Sequence, residues 1–106
     1  MNNKALTLLG FASKAGKLQF GLQKTNESIK NNKTKLVVTA CDVSDKSKKE
    51  ISFFAHNKNI NVVTLSDITI EKLSAAVGRK CGIISVNDGG FADAICNTLG
   101  GYANDQ

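Results

Sequence analysis

Ala5, Leu8, Leu9 and Ala12 recur at the i, i+3, i+4 and i+7 positions of an amphipathic helix, which ends before Gly16, a residue free to close it in the left-handed conformation. Leu18-Gln19-Phe20 alternates briefly, as a short edge strand does. A second helix begins after Gly21, with Leu22, Thr25 and Ile29 on one face and Asn31-Asn32 at its exit. Leu36-Val37-Val38-Thr39-Ala40-Cys41 is a continuous run, the pattern of a strand covered on both faces. Ser44 is suited to cap the next helix, whose stripe is Ile51, Phe54 and Ala55, and Ser47-x-x-Glu50 has capping-box spacing. Asn61-Val62-Val63-Thr64-Leu65 is a third strand. Thr69 caps a short helix with Ile70, Leu73, Ala76 and Val77, closed by Gly78. Gly82-Ile83-Ile84-Ser85-Val86 is a last strand, and Asp88 opens a final helix on Phe91, Ile95 and Leu99 that Gly100-Gly101 ends. Helices alternating with apolar strands predict an α/β fold: a three-layer α/β/α sandwich around a small mixed sheet of about four strands.

Composition narrows the class without changing that picture. The 106 residues are 42% apolar and 22% charged with no proline, and no linker or repeat divides them, so one domain over residues 1–106 is expected. No apolar run is long enough to span a membrane, and the N-terminus reads as part of the fold. Three scattered cysteines, Cys41, Cys81 and Cys96, suit a reducing cytoplasm.

Charge is more informative by position than in total. The net charge is +5, but residues 1–58 hold 11 Lys against 4 acidic residues, a local +7, whereas residues 59–106 are locally −2. Such a basic half suggests a phosphate-rich partner, although a solvated lysine face is the commoner source of such a bias. Gly16-Lys17, Gly21 with Gln23-Lys24, Lys33-x-Lys35 and Gly78-Arg79-Lys80 all fall at element ends, where loops gathered at one end of a sandwich would form a backbone-phosphate clamp.

Catalytic and metal chemistry find less support. Cys41 beside Asp42 stands at a strand end with His56 as its only conceivable base, yet His56 follows a helix stripe in a polar run, where a solvated histidine is the ordinary reading. Cys41 and Cys96 read as small core hydrophobes. No Cys/His pair has ligand spacing, and Asp88-Gly89-Gly90 lacks the pattern of a nucleotide-binding loop and reads as cap and turn. Asp42 and Asp45 read as capping residues flanking a helix start.

Taken in order, several motifs carry a resemblance: Leu9-Gly10-Phe11-Ala12-Ser13-Lys14-Ala15-Gly16-Lys17-Leu18 with Gly21, then Lys35 through Ser44, Leu73 through Lys80, and Ile84 through Ala92. Over about residues 5–99 the chain resembles the kink-turn-binding ribosomal protein family, that of archaeal large-subunit protein seven-Ae and eukaryotic protein thirty-e, in its bacterial YlxQ branch. The resemblance implies the same sandwich and binding to structured RNA without catalysis. It assigns RNA contact to Gly21–Glu27, Ala40–Val43 and Val77–Gly82.

Departures from the family pattern are local. Where kink-turn binders read Gly-x-Asn-Glu-x-x-Lys, this chain has Gly21, Gln23, Lys24 and Glu27, so the carboxylate and the lysine are exchanged. Only Asp42 survives of the acidic turn, and Arg79-Lys80-Cys81 replaces small apolar residues. The expected RNA-binding set is Gly16, Lys17, Gly21, Gln23, Lys24, Asp42, Gly78, Arg79 and Lys80, with no catalytic residue, metal or cofactor. The expected partner is structured RNA, ribosomal or kink-turn, met by a cytoplasmic monomer associated with the ribosome or translation factors. The exchanged charges at Lys24 and Glu27 leave open a second reading, a protein-interaction module of the translation or transcription machinery with a degenerate RNA surface.

Overall fold

A computed structural model of the chain describes residues 3–99. Helices and strands alternate as the apolar spacing predicts: α1 (Asn3–Lys14), β1 (Leu18–Phe20), α2 (Leu22–Lys30), β2 (Leu36–Ala40), α3 (Asp45–Asn57), β3 (Val62–Leu65), α4 (Ile70–Val77), β4 (Ile83–Val86) and α5 (Gly89–Thr98). Gly100-Gly101, expected to end the last helix, lies outside the described residues. None of the described helices is long and apolar enough to cross a membrane.

The four strands form one mixed sheet in the order β1-β4-β2-β3. β4 runs antiparallel to both β1 and β2, while β2 and β3 are parallel. Alternation along the central strands divides the core between two layers. Leu36, Val38, Ala40, Ile84 and Val86 pack with Leu9 of α1, Leu73 of α4 and Ile95 of α5. Val37 and Ile83 face the other way, onto Ile29 of α2 and Ile51 and Ala55 of α3. Every residue of β2 and β4 is buried, which is why both strands read as largely apolar runs, interrupted only by the buried hydroxyls of Thr39 and Ser85.

Helix starts follow the expected caps with one correction. Ser44, Thr69 and Asp88 accept from the backbone N–H of Ser47, Lys72 and Phe91. Because Ser44 occupies the cap, Ser47 lies inside the first turn of α3 and the Ser47/Glu50 capping box does not form at the cap. Glu50 instead accepts from Asn26 Nδ2 of α2 at 3.3 Å. Cys96 is buried as expected, and Cys81 is buried too, whereas Cys41, expected in the core with Cys96, is only half-buried because it stands in the turn beyond β2.

The connections sort into two groups. Register places the C-terminal ends of β1, β2 and β3 together with the start of β4, so the β1–α2, β2–α3, β3–α4 and α4–β4 connections share one end of the sheet. The α1–β1, α2–β2, α3–β3 and β4–α5 connections share the other.

Candidate nucleic-acid interface

At the first end, the edge strand turns into a helix through Gly21. Its N–H donates to Ile83 O at 2.8 Å, continuing the β1–β4 ladder by one rung, and its φ of 91° then redirects the chain into α2. That backbone value belongs to glycine, and glycine brings no capping side chain. The first-turn amides of α2 therefore have no side-chain cap, and Gln23 and Lys24 stand exposed on that turn. The positive end of the helix dipole thus coincides with a lysine and an amide side chain.

The α4–β4 connection lies beside it. Gly78 closes α4 in the left-handed conformation, and Arg79 and Lys80 project exposed from the loop. Arg79 lies over the Phe20 ring, 5.1 Å from its centroid, which ties this loop to the end of β1. Ser74 holds the far side of the loop: its Oγ accepts from Cys81 N at 3.0 Å and donates to Cys81 O at 3.1 Å. Ser13 of α1 donates to Val77 O at 2.9 Å, steadying the last turn of α4. Burial pushes the Cys81 thiol from its ordinary 9.0 up to about 11, against a smaller opposing pull from Arg79.

The turn after β2 completes the cluster. Cys41 N donates to Ile68 O at 2.8 Å, and Lys48 Nζ of α3 donates to Cys41 O at 2.9 Å. Asp42 does cap a helix, although it is α4 rather than α3: its Oδ1 accepts from Ile70 N at 2.8 Å. The carboxylate is thus engaged at the start of α4 while the residue itself remains exposed. Gly82 lets the turn approach, since a Cβ there would come within 2.8 Å of Val43 Cγ2.

Of the residues singled out in the sequence, Gly21, Gln23, Lys24, Asp42, Gly78, Arg79 and Lys80 thus come together at one end. Gly16 and Lys17 do not join them. They lie at the opposite end, where Lys17 O accepts from Asn87 N at 2.8 Å. Phe20, Ser74 and Lys48 were missed as parts of this site because their roles depend on neighbours from distant segments. His56 is exposed in the last turn of α3, a helix that carries it away from Cys41 toward the opposite end, so no Cys–His couple forms. Among the described residues there is no group of three or more His, Cys, Asp or Glu able to hold a metal ion.

The model of the ribosomal protein L7Ae/L30e/S12e/Gadd45 family matches residues 3–95. The chain belongs to this family. Its relatives include the RNA-binding protein YlxQ of Enterococcus faecium, 30% identical over 89 residues that make up 84% of each chain. The large ribosomal subunit protein eL30 of Candida glabrata is 29% identical, covering 82% of this chain and 84% of its own. A solved structure of a protein of unknown function from Bacillus halodurans superposes with a TM-score of 0.86 at 26% identity, covering 92% of this chain and 97% of the other. The 15.5 kD RNA-binding protein of Giardia lamblia shares the fold, with a TM-score of 0.70 at 16% identity over 90% of this chain and 81% of its own. The sandwich is therefore that of the family.

Proposed function

We propose that the protein is a small, non-catalytic RNA-binding protein whose interface is the end of the sheet formed by Gly21–Glu27, Ala40–Val43 and Val77–Gly82. The observation that carries this reading is the meeting of those three segments, with the uncapped start of α2 beside Lys24, Arg79 and Lys80. The relatives named for RNA binding or for the ribosome support the same class of partner. The ligand is structured RNA of kink-turn type, in the ribosome or in a regulatory transcript, bound by a monomer in the cytoplasm without a cofactor. Lysines and Arg79 neutralise phosphate, the glycines admit the backbone, and Gln23 supplies an amide for a base edge.

Fluorescence anisotropy with a kink-turn hairpin and with ribosomal RNA, titrated at stepped salt, tests this. Affinity should fall with salt along a log–log slope of roughly −0.7 to −0.9 per phosphate contacted. Absence of binding to both RNAs at low salt overturns the reading.

A second reading, a protein-interaction module, is favoured by two features, the engagement of Asp42 at the start of α4 and the exchanged charges at Lys24 and Glu27. It expects ribosomal or factor partners that stay bound in a pull-down after ribonuclease treatment. Partners lost on that treatment return the assignment to RNA.

A further inference from the structure

A second polar feature runs along α2, away from the loop end. Between α2 and the edge strand β1 lies a cleft of about 150 Å³, lined by the amides of Gln19, Asn31 and Asn87, the cations Lys24 and Lys33, and Glu27. Ser28 contributes to its wall while being 95% buried, and behind it sits a buried cluster of hydroxyls. Ser28 Oγ donates to Asn87 Oδ1 at 3.0 Å, Ser85 Oγ donates to the same atom, and Thr34 Oγ1 donates to Ser28 Oγ at 2.8 Å.

Burying these hydroxyls is tolerable because they satisfy one another. The network also has a consequence for the cleft. Both donors converge on Asn87 Oδ1, and Asn87 N is bonded to Lys17 O, so the amide is held in one orientation. Its Nδ2 group has no hydrogen-bond partner among the described residues and is the donor Asn87 has left for a ligand. Such a donor, fixed before binding, loses little freedom when a ligand arrives.

The lining selects a ligand by its chemistry. Two lysines and a fixed amide N–H suit a phosphate, but Glu27 disfavours a ligand that is only anionic. The same carboxylate is an acceptor for a hydroxyl. No aromatic ring lines the cleft, so it offers no stacking surface for a base. A sugar–phosphate unit satisfies all of these at once.

We propose that the cleft holds one ribose-phosphate unit, with phosphate between Lys24, Lys33 and Asn87 Nδ2 and the 2′-hydroxyl donating to Glu27. In its RNA form this rests on the RNA-binding reading above and extends that surface along α2. Glu27, which stands where the family pattern has a lysine, thereby acquires a role in telling ribose from deoxyribose. The path also links the two ends of the sheet: Lys24 belongs to the first turn of α2, whereas Lys33 and Asn87 lie at the end that carries Gly16 and Lys17. A free ribonucleotide has the same chemistry as an RNA backbone unit, and the two sources are separable by experiment.

The first arm follows backbone-amide NMR shifts on adding adenosine 5′-monophosphate or its 2′-deoxy analogue at millimolar concentration. The ribonucleotide should shift the amides of Asn31, Lys33 and Asn87 more than the deoxynucleotide does. Lys33→Glu should abolish the shifts, and Glu27→Gln should erase the difference between the two sugars. Both substitutions are at exposed positions and leave the buried network intact. No shift in the cleft, or shifts unaltered by Lys33→Glu, overturns the proposal. The second arm titrates a kink-turn hairpin: Lys33→Ala should weaken binding about three- to tenfold and reduce the salt slope by about 0.7 to 0.9. If the hairpin binds and Lys33→Ala changes neither quantity, the cleft proposal falls while the RNA-binding reading stands. If no RNA binds but the ribonucleotide shifts the cleft, the site is a free-ribonucleotide site and the RNA-binding reading falls.

Discussion

At Gly82 the absence of one methyl group decides whether two loops can meet. A Cβ there would lie 2.8 Å from Val43 Cγ2 and 3.0 Å from Ile70 Cγ1, both from side chains packed against the core. Gly82→Ala should therefore cost about 1–3 kcal/mol through overpacking, read as a lower urea midpoint, and should displace the Asp42 turn. The neighbouring Cys81 gives a prediction in pH. Its folded-state pKa is raised by burial from 9.0 to about 11, so the folded state holds the thiol proton more tightly than the unfolded chain does. The resulting stability is complete below pH 9 and is lost as pH rises from 9 toward 11. Urea midpoints measured from pH 7 to 10.5 should fall more steeply for the natural protein than for Cys81→Ala. A buried thiol of this kind should also resist iodoacetamide at neutral pH. Neither effect was legible in the sequence, where Gly82 read as the first residue of a strand and Cys81 as one of three scattered cysteines. The residues that make Gly82 tight and Cys81 dry come from other parts of the chain.

At the scale of elements, local chemistry was mostly readable because it acts within a few residues. Thr69 and Asp88 cap the helices they precede, and Gly78 closes α4. The exceptions occur where a second candidate competed or a partner came from afar. Ser44 takes the cap of α3, which leaves Ser47 inside the first turn, and Asp42 reaches across to the start of α4 rather than serving α3. The start of α4 thus has two acceptors, Thr69 Oγ1 for Lys72 N and Asp42 Oδ1 for Ile70 N. Asp42→Ala should lower stability by about 0.5–2 kcal/mol, while Asp42→Asn, which keeps an acceptor oxygen, should retain most of it in the same denaturation experiment. If RNA affinity follows stability in this pair, Asp42 acts by holding the turn. If Asp42→Asn is stable and still binds poorly, its charge is read by the ligand.

For the molecule as a whole, the decisive fact is that strand register sends the four connections following β1, β2, β3 and α4 to one end and the other four to the opposite end. Arg79 and Lys80 lie at the first end and Lys17 at the second, so their contributions to RNA binding can be separated. Arg79→Ala and Lys80→Ala should each lower the salt slope by roughly 0.7 to 0.9, with uniform weakening across RNA sequences for Lys80. Lys17→Ala should reduce the slope only for an RNA long enough to follow α2 to the far end, which short and long hairpins would distinguish. The sequence by itself determined the order and kind of the elements, since the periods of 3.6 and 2 and the local caps depend on neighbours along the chain. It also carried the family motifs and the uneven distribution of charge. Only the tertiary structure decided which charges share a surface, because strands far apart in sequence must first pair in register. That pairing separates Lys17 from Arg79, joins Arg79 to Phe20, and turns Ser28, Thr34, Ser85 and Asn87, unremarkable polar residues along the chain, into one buried network.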